Sequence, residues 1–141
     1  MSKQFSLLVL LLLYSFGSLF SQTYSIDVTI KNIKSIDGYI QIGLYNSPEE
    51  FPKVDREFKR YYFKTTASTM KYTLKNLAKG NYAIATYHDK NSDKKCNRNL
   101  VGYPTEDFGF SNNVKIFISA PKFEDAKIEL NQNQSISISI D

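Results

Sequence analysis

With 141 residues, a formal net charge of +4, 42% hydrophobic and 14% aromatic residues, the chain is long enough for one domain with a real core. Its 18 Lys and Arg and 14 Asp and Glu are scattered rather than clustered, which argues against a nucleic-acid footprint despite a pI near 9.0. One histidine and one cysteine exclude a three-histidine metal centre and an intramolecular disulfide.

In chain order, Lys3, the unbroken apolar run 7–13 and the small residues Gly17, Ser18 and Ser21 predict a secretory signal peptide over residues 1–21. The run is too short to span a bilayer. The mature domain is then 22–141, with 141 − 21 = 120 residues and, Lys3 being lost, a charge of +3 instead of +4. The expected product is secreted or periplasmic, without a membrane span.

Alternation of apolar and polar residues predicts strands along most of the mature chain. Ile26, Val28 and Ile30 form one set and Ile40, Ile42 and Leu44 a second, with Asp37-Gly38 as the turn of an expected hairpin. In 47–54, Ser47, Pro48 and Glu50 carry the signature of a helix start and predict the one short turn or helix. The basic-aromatic stretch 58–64 reads as an exposed strand. Met70, Tyr72 and Leu74, then Tyr82, Ile84 and Thr86, predict a second hairpin about Lys79-Gly80-Asn81. Residues 114–119, VKIFIS, read as a further strand, Ala126, Ile128 and Leu130 as another, and SISISI at 135–140 as a half-buried last strand. About seven strands with one short helix predict an all-β fold, an antiparallel β-sandwich of the immunoglobulin-like or transthyretin-like kind.

The segment 87–113, YHDKNSDKKCNRNLVGYPTEDFGFSNN, is a long connection at one end of such a sandwich, where structureless loops tend to be functional. Asp89, Asn91, Asp93 and Asn97 stand at relative positions one, three, five and nine, with the carbonyl of Lys95 at seven. Calcium loops wrap oxygen donors around a hard cation at this spacing. Lys94 replaces the usual glycine at position six and Leu100 the usual glutamate at twelve, so Glu106 or Asp107 would have to fold back to complete the shell. Without an ion, the same residues serve as Asx-turns. Cys96, at position eight, reads as a small inward-facing hydrophobe. Tyr103, Phe108 and Phe110 predict a loop packed on its own rings, or a platform for a saccharide or peptide.

The runs Y-A-I-A-x-x-H-D-x-N and L-V-G-Y-P-x-E-x-x-G-F-S-N-N, within residues 80–113, resemble the signature of the domain of unknown function 2141 family of small exported bacterial proteins. The likeness covers the mature domain in layout. In that family the loop typically reads H-D-x-N-G-N-G-x-x-D; Ser92, Asp93, Lys94 and Asn97 depart from it here. The resemblance implies fold and export, not an activity.

For function, alternation places His88 on the face of Ile84 and Thr86, near a strand end, where a structural hydrogen bond to the loop explains it. The expectation is a non-enzymatic binding module for a saccharide or protein ligand at the envelope or outside it, with Ca²⁺ as the candidate ion. The competing readings are a hydrolase-type enzyme built on His88 with loop carboxylates such as Asp89 and Glu106, and a structural envelope subunit pairing through sheet edges.

Overall fold

The computed structural model describes residues 22–141 apart from 117. The expected signal peptide lies outside the described residues. Eight strands are present among them: β1 (Thr23–Lys31), β2 (Tyr39–Tyr45), β3 (Lys59–Lys64), β4 (Met70–Ala78), β5 (Gly80–Asp89), β6 (Phe108–Phe110), β7 (Ile128–Leu130) and β8 (Gln134–Ser139). A 3-10 turn (Ser111–Asn113) follows β6, and a one-turn helix α1 (Phe123–Ala126) precedes β7. No helix among the described residues is long and apolar enough to cross a membrane.

The strands form two facing sheets, β4-β1-β8 and β3-β2-β5-β6, with β7 pairing onto β5. Ile26, Val28 and Ile30 of β1, Ile40, Ile42 and Leu44 of β2, Leu74 of β4, Ile84 of β5 and Ile138 and Ile140 at the C-terminus are all fully buried in one core. The predicted all-β sandwich is therefore the observed fold. Alternation identified the inward faces because a strand turns successive side chains to opposite sides.

Pairing differs from expectation at both predicted hairpins. β1 pairs with β4 and β8, while β2 pairs with β3 and β5. The apolar faces of β1 and β2 meet across the core instead of lying edge to edge, and the connection 32–38 carries the chain between sheets. Gly38, at φ +68°, closes that crossing where any Cβ would collide with the Asp89 carbonyl oxygen. β4 and β5 are joined through Lys79 alone, which is too short for a two-residue hairpin loop, and they too belong to opposite sheets. β8 runs parallel to β1, with Val28 opposite Ile136 and Ile30 opposite Ile138. This one parallel pair departs from the antiparallel expectation and is reached by a long path through β7, as parallel pairing requires.

Of the turn or helix expected from Pro48 to about Val54, turns form at 48–52 and no helix does. Ser47 O accepts from Glu50 N and Phe51 N at 3.3 and 3.2 Å, but Ser47 Oγ bonds Glu49 at 2.6 Å and Glu50 turns toward Arg56, so the capping box does not form. Pro52 stops the helix: it has no N–H and disfavours helical backbone at Phe51. The short helix lies instead at α1, after Pro121, with Glu124 and Asp125 in its first turn. Ala126 belongs to this helix and not to the strand that follows. The expected strand VKIFIS is absent among its described residues; Phe117 lies outside them. β6 takes the neighbouring place on β5, pairing Phe110 with Ala85 and Gly109 with Thr86. At Gly109 a Cβ would come within 2.7 Å of the Ser139 carbonyl oxygen. Glycine lets the end of β8 close over β6, where Asp141 N and Phe108 N exchange bonds with Phe108 O and Asp141 O at 3.2 and 3.3 Å.

Candidate functional site

β5 lies inside the five-stranded sheet and is buried on both faces. Tyr82 and Ile84 enter the main core, and Thr86 and His88 follow on the same face. On the other face, Ala83 and Ala85 meet a second apolar cluster made of Tyr45, Phe51, Phe110, Phe123 and Ala126. Described residues of 47–57, 96–116 and 118–126 cover that outer face, and a pocket of about 440 Å³ opens between them and the sheet.

Its floor is Gln41, Ala85, Tyr87, Phe108 and Phe110, with Tyr45 at the side. Tyr45 Oη donates to Lys53 O at 3.0 Å, and Tyr87 Oη is 3.2 Å from Tyr62 Oη. Burial pushes both phenols far up, so they act as neutral hydrogen-bonding groups. Glu57 enters beside Gly43, whose missing side chain leaves room for it. The Glu57 carboxylate is held by Arg60 Nη2 at 2.5 Å and by Gln41 Nε2 at 3.4 Å. The outer wall is built from loop residues Cys96, Arg98 and Tyr103. Cys96 is half-buried, and burial raises its thiol although Arg98 opposes the shift.

The loop carrying this wall is closed by its own groups. Asp89, fully buried, accepts from Asp93 N at 3.2 Å and Lys94 N at 2.9 Å. Asn91 Oδ1 also accepts from Asp93 N, at 3.2 Å, and Asp93 Oδ1 accepts from Lys95 N at 2.8 Å. That last bond holds the Asp93 carboxyl below its ordinary value. Lys94, in the place of the usual glycine, adopts φ +62°, the left-handed backbone that makes glycine the common choice. Glu106 folds back onto the loop, accepting from Asn97 N at 3.3 Å. Burial, followed by the repulsion of Asp89 and Asp93, raises its carboxyl. Asp107 is committed to Lys34 at 2.6 Å and Lys90 at 3.3 Å. Asn97 Oδ1 is buried without a partner. The loop thus gathers Asp89, Asn91, Asp93, Asn97 and Glu106, while Lys95 engages it through its N–H. Among the described residues no group of three or more His, Cys, Asp or Glu side chains is arranged to hold a metal ion.

Residues 98–104 form a tight bracket. Arg98 bridges to Pro104, Asn99 N donates to Tyr103 O at 2.8 Å, and Asn99 Oδ1 accepts from Val101 N and Tyr103 N at 3.1 and 3.0 Å. As expected, the rings pack on one another: Tyr103 on Phe108 and Phe108 on Phe110, edge to face at 5.6 and 5.8 Å.

His88 is fully buried, and its Nε2 lies 2.7 Å from Asp37 O. A carbonyl only accepts, so Nε2 is the donor, and Nδ1 is buried without a partner. His88 ties β5 to the crossing at Gly38 and does not line the pocket.

The profile of the family described as "Uncharacterized protein conserved in bacteria (DUF2141)" matches residues 28–138. The chain belongs to the DUF2141 family. In this DUF2141 domain the match runs from β1 into β8, so both sheets, the loop and every wall of the pocket fall inside it. No curated protein and no solved structure matches the chain. Sequence reasoning missed Gln41, Tyr45, Glu57, Ala85, Tyr87 and Arg98 as site residues. One signal was present: Ala83, Ala85 and Tyr87, the positions of β5 opposite its core face, are also largely apolar, which marks an outer face that something covers.

Proposed function

We propose that this chain is an exported, non-enzymatic binding module, secreted or periplasmic, that takes a small ligand in the pocket on the outer face of its five-stranded sheet. The pocket itself carries the reading: about 440 Å³, ringed by Tyr45, Tyr87, Tyr103, Phe108 and Phe110 with Gln41 and Arg98 among them. That size and that mix of aromatic wall and few polar groups are usual for ligand sites. Against a hydrolase reading, His88 is sealed in the core with its Nε2 engaged by Asp37 O, out of reach of a substrate. A thermal-shift screen of residues 22–141 against glycans, peptides and amphiphiles tests the proposal. Ligands at about 100 times their Kd should stabilise the wild type by about 2.7 kcal/mol. They should leave Ala85→Phe, whose new ring fills the floor, unshifted. Hits that stabilise both proteins alike would place binding elsewhere.

A second reading adds Ca²⁺ at Asp89, Asn91, Asp93, Asn97, Glu106 and the Lys95 carbonyl. It is favoured by the partnerless Asn97 Oδ1 and by the left-handed Lys94. Hard oxygen donors suit this ion. Comparing melting in millimolar calcium and in chelator tests it.

A further inference from the structure

We infer that the pocket takes the aliphatic chain of an anionic amphiphile of the fatty-acid kind, entering over the 98–104 bracket, with its head group held by Arg98. The inference rests on the reading of the pocket as the binding site and names its ligand class. Three observations carry it.

The first is charge. Glu57, the carboxylate that enters the pocket, is neutralised by Arg60. Glu106, near enough to act on Cys96, is bonded to Asn97 N and lies outside the lining. Arg98 has no carboxylate partner among the described residues; its guanidinium reaches the Gly102 carbonyl, at 3.5 Å, and the Cys96 thiol, both uncharged partners. One unmatched guanidinium at the edge of an apolar pocket selects a carboxylate or phosphate head.

The second is the wall opposite the sheet. Val54, Val101, Ile116 and Ile118 make it aliphatic, while Tyr103, Phe108 and Phe110 are paired edge to face with one another. Each such pair occupies one ring face and sets its two rings at a steep angle, which leaves no flat aromatic platform of the kind a sugar stacks on. A flexible hydrocarbon chain has no such requirement.

The third is the rim. Leu100 and Val101 are 107% and 87% exposed, and Ile118 is 99% exposed. The bracket that presents Leu100 and Val101 is held by Asn99, whose backbone and side chain engage Val101, Gly102 and Tyr103. Val101 and Ile118 also line the pocket. Apolar side chains exposed to solvent thus border the pocket itself, and exposed apolar surface signals contact with apolar matter.

The probes are oleate and oleyl alcohol, which share a chain and differ in head charge, titrated calorimetrically into residues 22–141. Oleate should bind one per chain and more tightly than the alcohol. Arg98→Gln, at an exposed position, should weaken oleate about tenfold, as loss of one charge-assisted bond requires, and leave the alcohol unchanged. Ala85→Phe should abolish both. Should that variant fold poorly, Val101→Asp at the exposed rim should weaken both while keeping the wild-type melting curve. Co-sedimentation with phosphatidylglycerol vesicles, lost in Leu100→Ser, would assign the amphiphile to a membrane; oleate binding without co-sedimentation would assign it to solution. Equal affinities for oleate and oleyl alcohol, or indifference of oleate to Arg98→Gln, overturn the inference. If other ligands respond to Ala85→Phe while oleate does not bind, the pocket stands and the amphiphile falls. If no ligand responds to Ala85→Phe, both fall.

Discussion

Gly38 shows how one residue joins the crossing between sheets to the site end of β5. Its positive φ and the Asp89 carbonyl against it leave no room for a side chain, so Gly38→Ala should destabilise the domain by about 1 to 3 kcal/mol, measured by urea unfolding. Cys96 makes the opposite case. Half-buried in the pocket wall and with its thiol raised by burial, it should react slowly with a bulky thiol reagent in the native protein. A bound pocket ligand should slow it further; rapid labelling would move Cys96 out of the wall. At this scale the sequence was informative where chemistry is local. The Asx oxygens of Asn91 and Asp93 cap the backbone N–H groups two residues on, as their residue types predict, and His88 falls on the inner face that alternation assigned. That its partner is Asp37 O was not legible, because the two meet only after the chain has crossed between sheets.

Between elements, the β1 and β4 pairing is reinforced by Asp27, which binds Lys71 Nζ at 2.9 Å and Thr73 Oγ1 at 2.7 Å. The bond to Lys71, then that to Thr73, lowers the Asp27 carboxyl from 3.8. A lowered carboxyl contributes stability above its unfolded value and loses it as pH falls through its folded value. The melting-temperature difference between wild type and Asp27→Asn should therefore be positive near pH 6 and shrink toward zero as the solution becomes more acid than about pH 4. Ile138 of β8, fully buried against β1, should cost about 2 to 5 kcal/mol as alanine; a smaller loss by urea unfolding would mean that β8 is peripheral. Element types and faces were readable from Ile26, Val28 and Ile30 onward, but pairing was not. A two-residue period reports which side of a strand is buried, and says nothing about whether the apolar set opposite is a neighbour in the sheet or a facing strand across the core. Of the turn or helix expected from Pro48, the turn formed and the helix did not, because the cap at Ser47 was weighed without Pro52.

For the molecule as a whole, the candidate site is assembled from segments far apart in the chain, 41–57, 85–87, 96–116 and 118–120, which is why the loop was legible and the pocket was not. The loop offers the calcium test: at about 1 mM free ion and a Kd of about 0.1 mM, linkage gives about 1.4 kcal/mol of stabilisation. Asp93→Ala should abolish it. Asp93 is the cleaner site to change because it is exposed, whereas Asp89 is buried and holds the loop backbone. Superimposed melting curves with and without the ion would leave the loop as a scaffold for the pocket wall alone. The central claim, that binding occurs on the outer face of the five-stranded sheet, is tested most directly by following backbone amide chemical shifts during titration with oleate. The account predicts that the shifts concentrate at Gln41, Ala85, Tyr87, Arg98, Val101 and Phe110, with Ile26, Val28 and Leu74 of the opposite sheet unmoved. Shifts confined to the three-stranded sheet, or to residues 89–95 with the pocket silent, would contradict it.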